Sequence, residues 1–192
     1  FIRILIYAAI AGLGAGVLGT LFTFSVNYVT QLRVNHPWLV YFLPIGGIVI
    51  VLLYKLAKYK DAGTDLVINS IHSEPHLPVR IGPLIFISSV ITHLFGGSAG
   101  REGAALQIGG SVGSFISKTL RLKEEDKKSL IMAGMSGCFS ALFGTPLTAA
   151  ILPLEVVHVG YMQYAALLPC AIASLVGHSV AIAMNLVEPM NH

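Results

Sequence analysis

Eight residues of this chain, Gly96-Gly97-Ser98-Ala99-Gly100-Arg101-Glu102-Gly103, hold four glycines beside one adjacent pair of opposite charges. The chemistry open to them is anion binding by backbone. A helix that starts here leaves its first N–H groups unpaired and turns the positive end of its dipole toward whatever precedes it. The apolar runs on either side, Ile81 to Phe95 and Ala104 to Ile116, are about 13–15 residues each and would reach about 20–23 Å as helices, against a hydrocarbon core of about 30 Å. Neither spans comfortably alone. One arrangement is a broken pair whose glycine segment lies at membrane depth, where lipid forbids irregular backbone unless protein buries it or it lines a polar cavity; transporters bind ions at such breaks. The other is a glycine-rich turn at the water boundary, with Arg101 and Glu102 solvated. The eight residues by themselves leave both open.

Four further places carry chemistry. Gly63-Thr64-Asp65 precedes a short helical pattern, and Thr64 or Asp65 reads locally as an N-cap. Phe143-Gly144-Thr145-Pro146 is a second break, and Pro146 suits the first turn of a new helix running to about His158. Glu155 in that helix faces a polar cavity or reaches the interface. Finally, Gly134-Met135-Ser136-Gly137 and Gly177-His178 place a serine and a histidine on separate apolar segments. The histidines and acids nearby are too loosely spaced for a metal site, and no cofactor is expected.

The elements that position these residues belong to a membrane protein. The 192 residues are 55% hydrophobic and 11% charged, with a mean hydropathy of +0.77, well beyond what a soluble core of this size needs. The long apolar runs lack the alternation of a membrane barrel, so the architecture is expected to be all-α. Spans are predicted from Ile2 to about Val29, from Trp38 to about Ala57 and from Tyr161 to about Val187. Gly12, Gly14, Gly16 and Gly19 form a packing face on the first, and Pro44 with Gly46-Gly47 should bend the second. Ser129 to Leu142, rich in small residues, reads as a tightly packed internal helix, and the acids before it suit its N-terminal dipole. Cys138 and Cys170 lie in apolar segments and are expected as free thiols. The net charge of +3 resides in short loops, which argues against a nucleic-acid partner. By the positive-inside rule, Lys55, Lys58 and Lys60 and the Arg3 end are cytoplasmic. The start at Phe1, with no signal pattern, predicts a piece of a longer protein.

Three stretches together resemble the CLC family of chloride channels and anion/proton antiporters. Gly100-Arg101-Glu102-Gly103, followed by Gln107-Ile108-Gly109-Gly110, is similar to the family's GREGP segment. Phe143-Gly144-Thr145-Pro146-Leu147, with Glu155 downstream, is similar to its F-N-A-P-L break and the acidic end of the next helix. Gly63-Thr64 falls where its GSGIP loop belongs. The resemblance implies an all-α integral membrane fold of two inverted repeats with tilted and broken helices, of which residues 1–192 are a single membrane domain corresponding to the first repeat. It implies a multi-pass protein of the cell membrane, in contact with lipid, that moves chloride or another halide and protons as a channel or antiporter. The intact protein is then a homodimer with one pathway per subunit.

Position by position, the resemblance makes Glu102 the gating and proton-coupling glutamate. A carboxylate at the mouth of an anion site fills it when charged and yields it when protonated or displaced. The N–H groups of Arg101, Glu102 and Gly103 face the outer anion position, the Arg101 side chain serves as a structural counter-charge, and the Thr64 hydroxyl meets the central anion. Glu155 is the internal acidic residue, whereas Val156 stands where the well-known antiporters have their internal proton glutamate. Asp65 replaces a glycine and Ala104 a proline. A fluoride-exporting branch departs at the serine loop and the internal glutamate too, so fluoride is the alternative to chloride.

Two other classes compete. The Gly134–Gly137 tetrapeptide also resembles the G-x-S-G of rhomboid intramembrane proteases, with Ser136 as nucleophile and His178 as base; that family's upstream histidine and asparagine pattern is missing. A structural bundle with no pathway would need none of these residues.

Overall fold

A computed structural model of the chain describes residues 2–57, 79–157 and 164–184. Thr64 and Asp65, together with Lys58, Lys60 and His158, lie outside the described residues. The described residues contain helices and no strand: α1 (Ile2–Asn35), a 3-10 turn (Pro37–Phe42), α2 (Leu43–Leu56), α3 (Ile81–Leu94), α4 (Arg101–Thr119), α5 (Glu124–Phe143), α6 (Pro146–Val157), a second 3-10 turn (Tyr164–Ala166) and α7 (Leu167–Ala183). Three segments, Ile2–Asn35, Pro37–Leu56 and Tyr164–Ala183, are long and apolar enough to cross a membrane.

α5 is the internal helix that its small residues predict. Every residue from Ser129 to Ala141 is buried, and burial on all sides leaves no polar stripe. Glycine lets three neighbours reach its backbone. Gly134 faces Gly109 of α4 so closely that a β-carbon on either would collide with the other's carbonyl oxygen, and Gly113 meets Leu130 in the same way. One turn further on, a β-carbon at Gly137 would stand 2.8 Å from the Gly12 α-carbon of α1. Gly12 and Gly16 in turn pack against Ala173 and Gly177 of α7, where added β-carbons would come within 2.6 and 2.9 Å of backbone atoms. The expected packing face on α1 is thus real. Lipid tails are as apolar as leucine, so such contacts rather than burial from water hold these helices together.

The structure corrects several element bounds. α1 runs to Asn35, past the predicted end near Val29, because Gln31, Arg33 and Asn35 continue the helix beyond the apolar run. The second span opens as a 3-10 turn that passes into α2 at Leu43, with Pro44 in α2's first turn, where a missing N–H costs nothing. α4 has 19 residues rather than about 13, since Arg101, Glu102 and Lys118 are helical although polar. The last span is helical over Leu167–Ala183 behind a 3-10 turn.

α3 and α4 form an antiparallel hairpin: Gly82, near the start of α3, packs on Ser111 and Ile108 of α4, and the glycine break is its tip. α2 begins beside that tip, with Gly46 against Phe95 and Leu43 against Gly97, and runs away from it to Lys55. Arg3 lines a pocket with Arg121 and Lys123, just past the end of α4. Arg3, Lys55, Arg80 and Lys118 therefore lie toward the end opposite the tip.

Because Gly134 meets backbone rather than a yielding side chain, Gly134→Leu should cost about 3 kcal/mol by overpacking. Gly47→Ala, with nothing within 4 Å of the added carbon, should be silent. Melting of the two variants in detergent, followed by the loss of the monodisperse peak on size exclusion, checks the contrast.

Candidate functional site

The break between α3 and α4 is built by two glycine devices. α3 ends in a Schellman motif: Gly96 N–H donates to His93 O at 3.2 Å and Gly97 N–H to Thr92 O at 2.8 Å, with Gly96 in the left-handed region at φ 84°. Only glycine takes that conformation at little cost. α4 then starts from Gly100, whose φ of −65° and ψ of 135° are extended and which offers no side-chain cap. Among the described residues no backbone or side-chain acceptor is recorded for the N–H groups of Arg101, Glu102 and Gly103. The first turn of α4 is an open set of donors at the positive end of a helix dipole.

Glu102 is exposed in this chain and folds back over that turn: a β-carbon placed on Gly100 would come 2.9 Å from Glu102 Oε2. The carboxylate thus stays within reach of the helix end it follows. Arg101 turns the other way, half-buried, and donates from Nη1 to Asn27 Oδ1 of α1 at 3.4 Å. A second guanidinium approaches from α1, with Arg33 Nη1 3.2 Å and Val40 Cγ2 of the 3-10 turn also 3.2 Å from where a Gly96 β-carbon would stand. The α3 side of the break thus lies against the turn that carries Trp38 and Tyr41, toward the end of the molecule opposite the basic cluster.

The remaining predicted residues are dispersed. α5 ends at Gly144, left-handed at φ 68°, and α6 begins two residues later, with Ala149 N–H donating to Thr145 O at 2.9 Å. Glu155 is exposed near the end of α6, while the neighbouring Val156 packs against the core. Cys138 and Cys170 are free and buried. The serine–histidine pair of the protease reading is not assembled: Ser136 is fully buried, no hydrogen bond joins it to His178, and His178 Nδ1 has no partner. A nucleophile and its base need that contact.

Sequence comparison decides the family. The profile described as "Voltage gated chloride channel" matches residues 45–192. The chain belongs to the voltage-gated chloride channel family. Among the relatives of this family member is a "Chloride/fluoride channel protein" of Pseudomonas syringae pv. tomato, 41% identical over 183 residues that make up 94% of this chain and 40% of that protein. An "H(+)/Cl(-) exchange transporter ClcA" of Vibrio campbellii is 29% identical over 79% of this chain and 36% of that protein. The crystal structure of a CLC-type fluoride/proton antiporter superposes with a TM-score of 0.91 at 31% identity, covering 99% of this chain and 50% of that one. A slow cyanobacterial Cl−/H+ antiporter gives 0.75 at 24% identity over 93% of this chain, a likeness of fold. The chain thus spans about 40% of the length of that Pseudomonas relative and corresponds to the first half of the CLC fold. It is a multi-pass integral membrane protein of a family that transports anions.

Arg33 and Asn27 were not singled out from sequence as part of this neighbourhood; the one signal was that Arg33 is the sole Lys or Arg between the first two apolar runs. Of the two glycines, Gly96 alone is required by its backbone. Gly96→Ala should lower stability by about 1–2 kcal/mol through the left-handed conformation alone. Gly100→Ala, whose backbone any residue adopts, should leave the melting temperature unchanged. Thermal melts of both variants side by side test the assignment.

Proposed function

We propose that the intact protein carries halide ions across the membrane in exchange for protons, with the tip of the α3–α4 hairpin forming part of its anion path. The observation that carries this reading is the uncapped first turn of α4 with the Glu102 carboxylate folded back over it. An anion approaching Arg101, Glu102 and Gly103 meets three N–H donors and a dipole end, and competes there with Glu102 for the same place. When Glu102 takes a proton it loses its hold on the helix end and the halide can enter; when the proton leaves, the carboxylate returns. One group then links the two movements. Residues 1–192 act in this reading as one membrane domain, the first of two inverted repeats, in a homodimer embedded in lipid. Thr64 supplies a hydroxyl to the central anion, Glu155 an acid on the inner side, and Arg101 a counter-charge anchored on α1. The chain does no covalent chemistry.

Hairpin geometry supports a site inside the lipid slab. From the basic end, α3 with 14 residues reaches about 21 Å and α4 with 19 about 28 Å, short of the far face of a hydrocarbon core about 30 Å thick. The tip belongs in the outer part of the membrane.

Fluoride is the favoured halide, since relatives whose names include it are 41% and 31% identical, against 29% for a proton/chloride exchanger. Liposomes holding the intact protein should release fluoride faster than chloride, with a rate that depends on pH. Glu102→Gln should abolish that pH dependence. Absence of flux with either anion, or an unaltered pH profile in the variant, overturns the transport role given to Glu102; faster chloride than fluoride overturns the selectivity alone.

A further inference from the structure

We propose that the basic end of the molecule holds the phosphate headgroup of an anionic phospholipid in a pocket between the start of α1 and the α4–α5 turn. The pocket has a volume of about 350 Å³ and is lined by Arg3 and Tyr7 from α1, Arg121 and Lys123 from the turn, and Asp126 from α5. Its volume falls within the range of small-ligand sites, about 300–1,000 Å³. Three cations face one acid. Asp126 sits in the first turn of α5, where the helix dipole already accounts for it. Among the described residues no ion pair is recorded for Arg3, Arg121 or Lys123.

Arg121 is the telling residue. α4 ends in a Schellman motif like that of α3, with Arg121 N–H donating to Lys118 O at 3.2 Å and Leu122 N–H to Ser117 O at 3.1 Å. At α3 the left-handed position of that motif is Gly96; here it is Arg121, at φ 50°, the one described non-glycine residue with positive φ. A β-carbon in that conformation costs about 1–2 kcal/mol that glycine would avoid. The helix dipole does not call for it, because Lys118 already stands in the last turn. Holding a guanidinium at this place, against the backbone's preference, points to a ligand for it.

The choice of a lipid over a free anion rests on what surrounds the pocket. Ile4, Leu120 and Leu122 line it beside the charges; Leu120 is 40% exposed, and Ile2 and Ile6, next in sequence to the lining residues Arg3 and Tyr7, are 74% and 54% exposed, with Ile10 and Leu13 exposed further along α1. An amphiphile with a negative head and hydrocarbon tails fits both parts. Basic pockets between membrane helices on the cytoplasmic side take such headgroups, and each Lys or Arg near the surface strengthens the attraction.

The test uses the intact protein in a neutral detergent, titrated with dioctanoyl phosphatidylglycerol or dioctanoyl phosphatidylcholine and read by native mass spectrometry. Phosphatidylglycerol should bind at least about tenfold more tightly than phosphatidylcholine, and the double variant Arg3→Gln/Arg121→Gly should lose most of that preference. Arg121→Gly alone should melt no lower than the wild type without lipid, because it removes the strained β-carbon, while Arg121→Lys should keep phosphatidylglycerol. Equal binding of the two lipids, or undiminished preference in the double variant, overturns the proposal. Displacement of phosphatidylglycerol by millimolar inorganic phosphate also overturns it, by making this a free-anion site. A lower lipid-free melting temperature for Arg121→Gly would assign Arg121 to the fold instead.

Discussion

Backbone pressed against backbone, where Gly109 of α4 meets Gly134 of α5, is the contact from which the geometry of the break follows. In lipid there is no water to expel between helices, so their association rests on how closely they approach and how many atoms then touch. α5 offers that approach at two glycines, to α4 through Gly134 and to α1 and α7 through Gly137. An α-helix is stiff over two or three turns. Once Gly109 and Gly113 are seated, the direction in which Arg101, Glu102 and Gly103 present their amides is set by the same rod. A side chain added at Gly134 would therefore act at the first turn of α4 without touching it.

The ends of the helices show how one backbone solution serves different chemistry. Gly96, Arg121 and Gly144 each occupy a left-handed position beyond a helix. At all three the consequence is a tight stop that lets a new helix start within two to five residues. At Arg121 the same position carries a long cation instead of a bare backbone. The start of α4 has the opposite character, since Gly100 satisfies none of the amides that a serine or aspartate would take. The feature that leaves the first turn uncapped is thus a missing side chain, and the carboxylate that lies near it, Glu102, comes from inside the helix.

Much of this was legible in the residues. Composition and run length gave the helices, small residues marked α5 as internal, and Pro146 and Gly144 marked the second break. What polarity concealed were the helix ends: α1 continues through Gln31 and Arg33, and α4 includes Arg101 and Lys118, because a helix may leave an apolar zone without unwinding. The neighbours of the break were not legible at all. Asn27 and Arg33 lie more than sixty residues upstream of Gly96, and only the packing of α1 along the α3–α4 hairpin, parallel to α3 and antiparallel to α4, brings them there. The family resemblance named Glu102, Glu155 and Thr64 by motif, and their roles stand as proposals; it said nothing of Arg121, whose signal is a backbone angle.

Exposure of Glu102 has to be weighed against how much of the fold this chain comprises. It covers 50% of the antiporter structure on which it superposes, and α2 buries a single residue, Gly46. Surfaces open here are the ones a protein of twice the length can cover, and the first turn of α4 is among them. A solvated turn would leave a glutamate free to extend into water. The Glu102 side chain instead curls back to its own helix start, with Arg101 directed away to Asn27, so the two charges of the adjacent pair do not neutralise each other. Separating them leaves the carboxylate beside the uncapped helix start, the geometry on which the proposed exchange of anion and carboxylate rests.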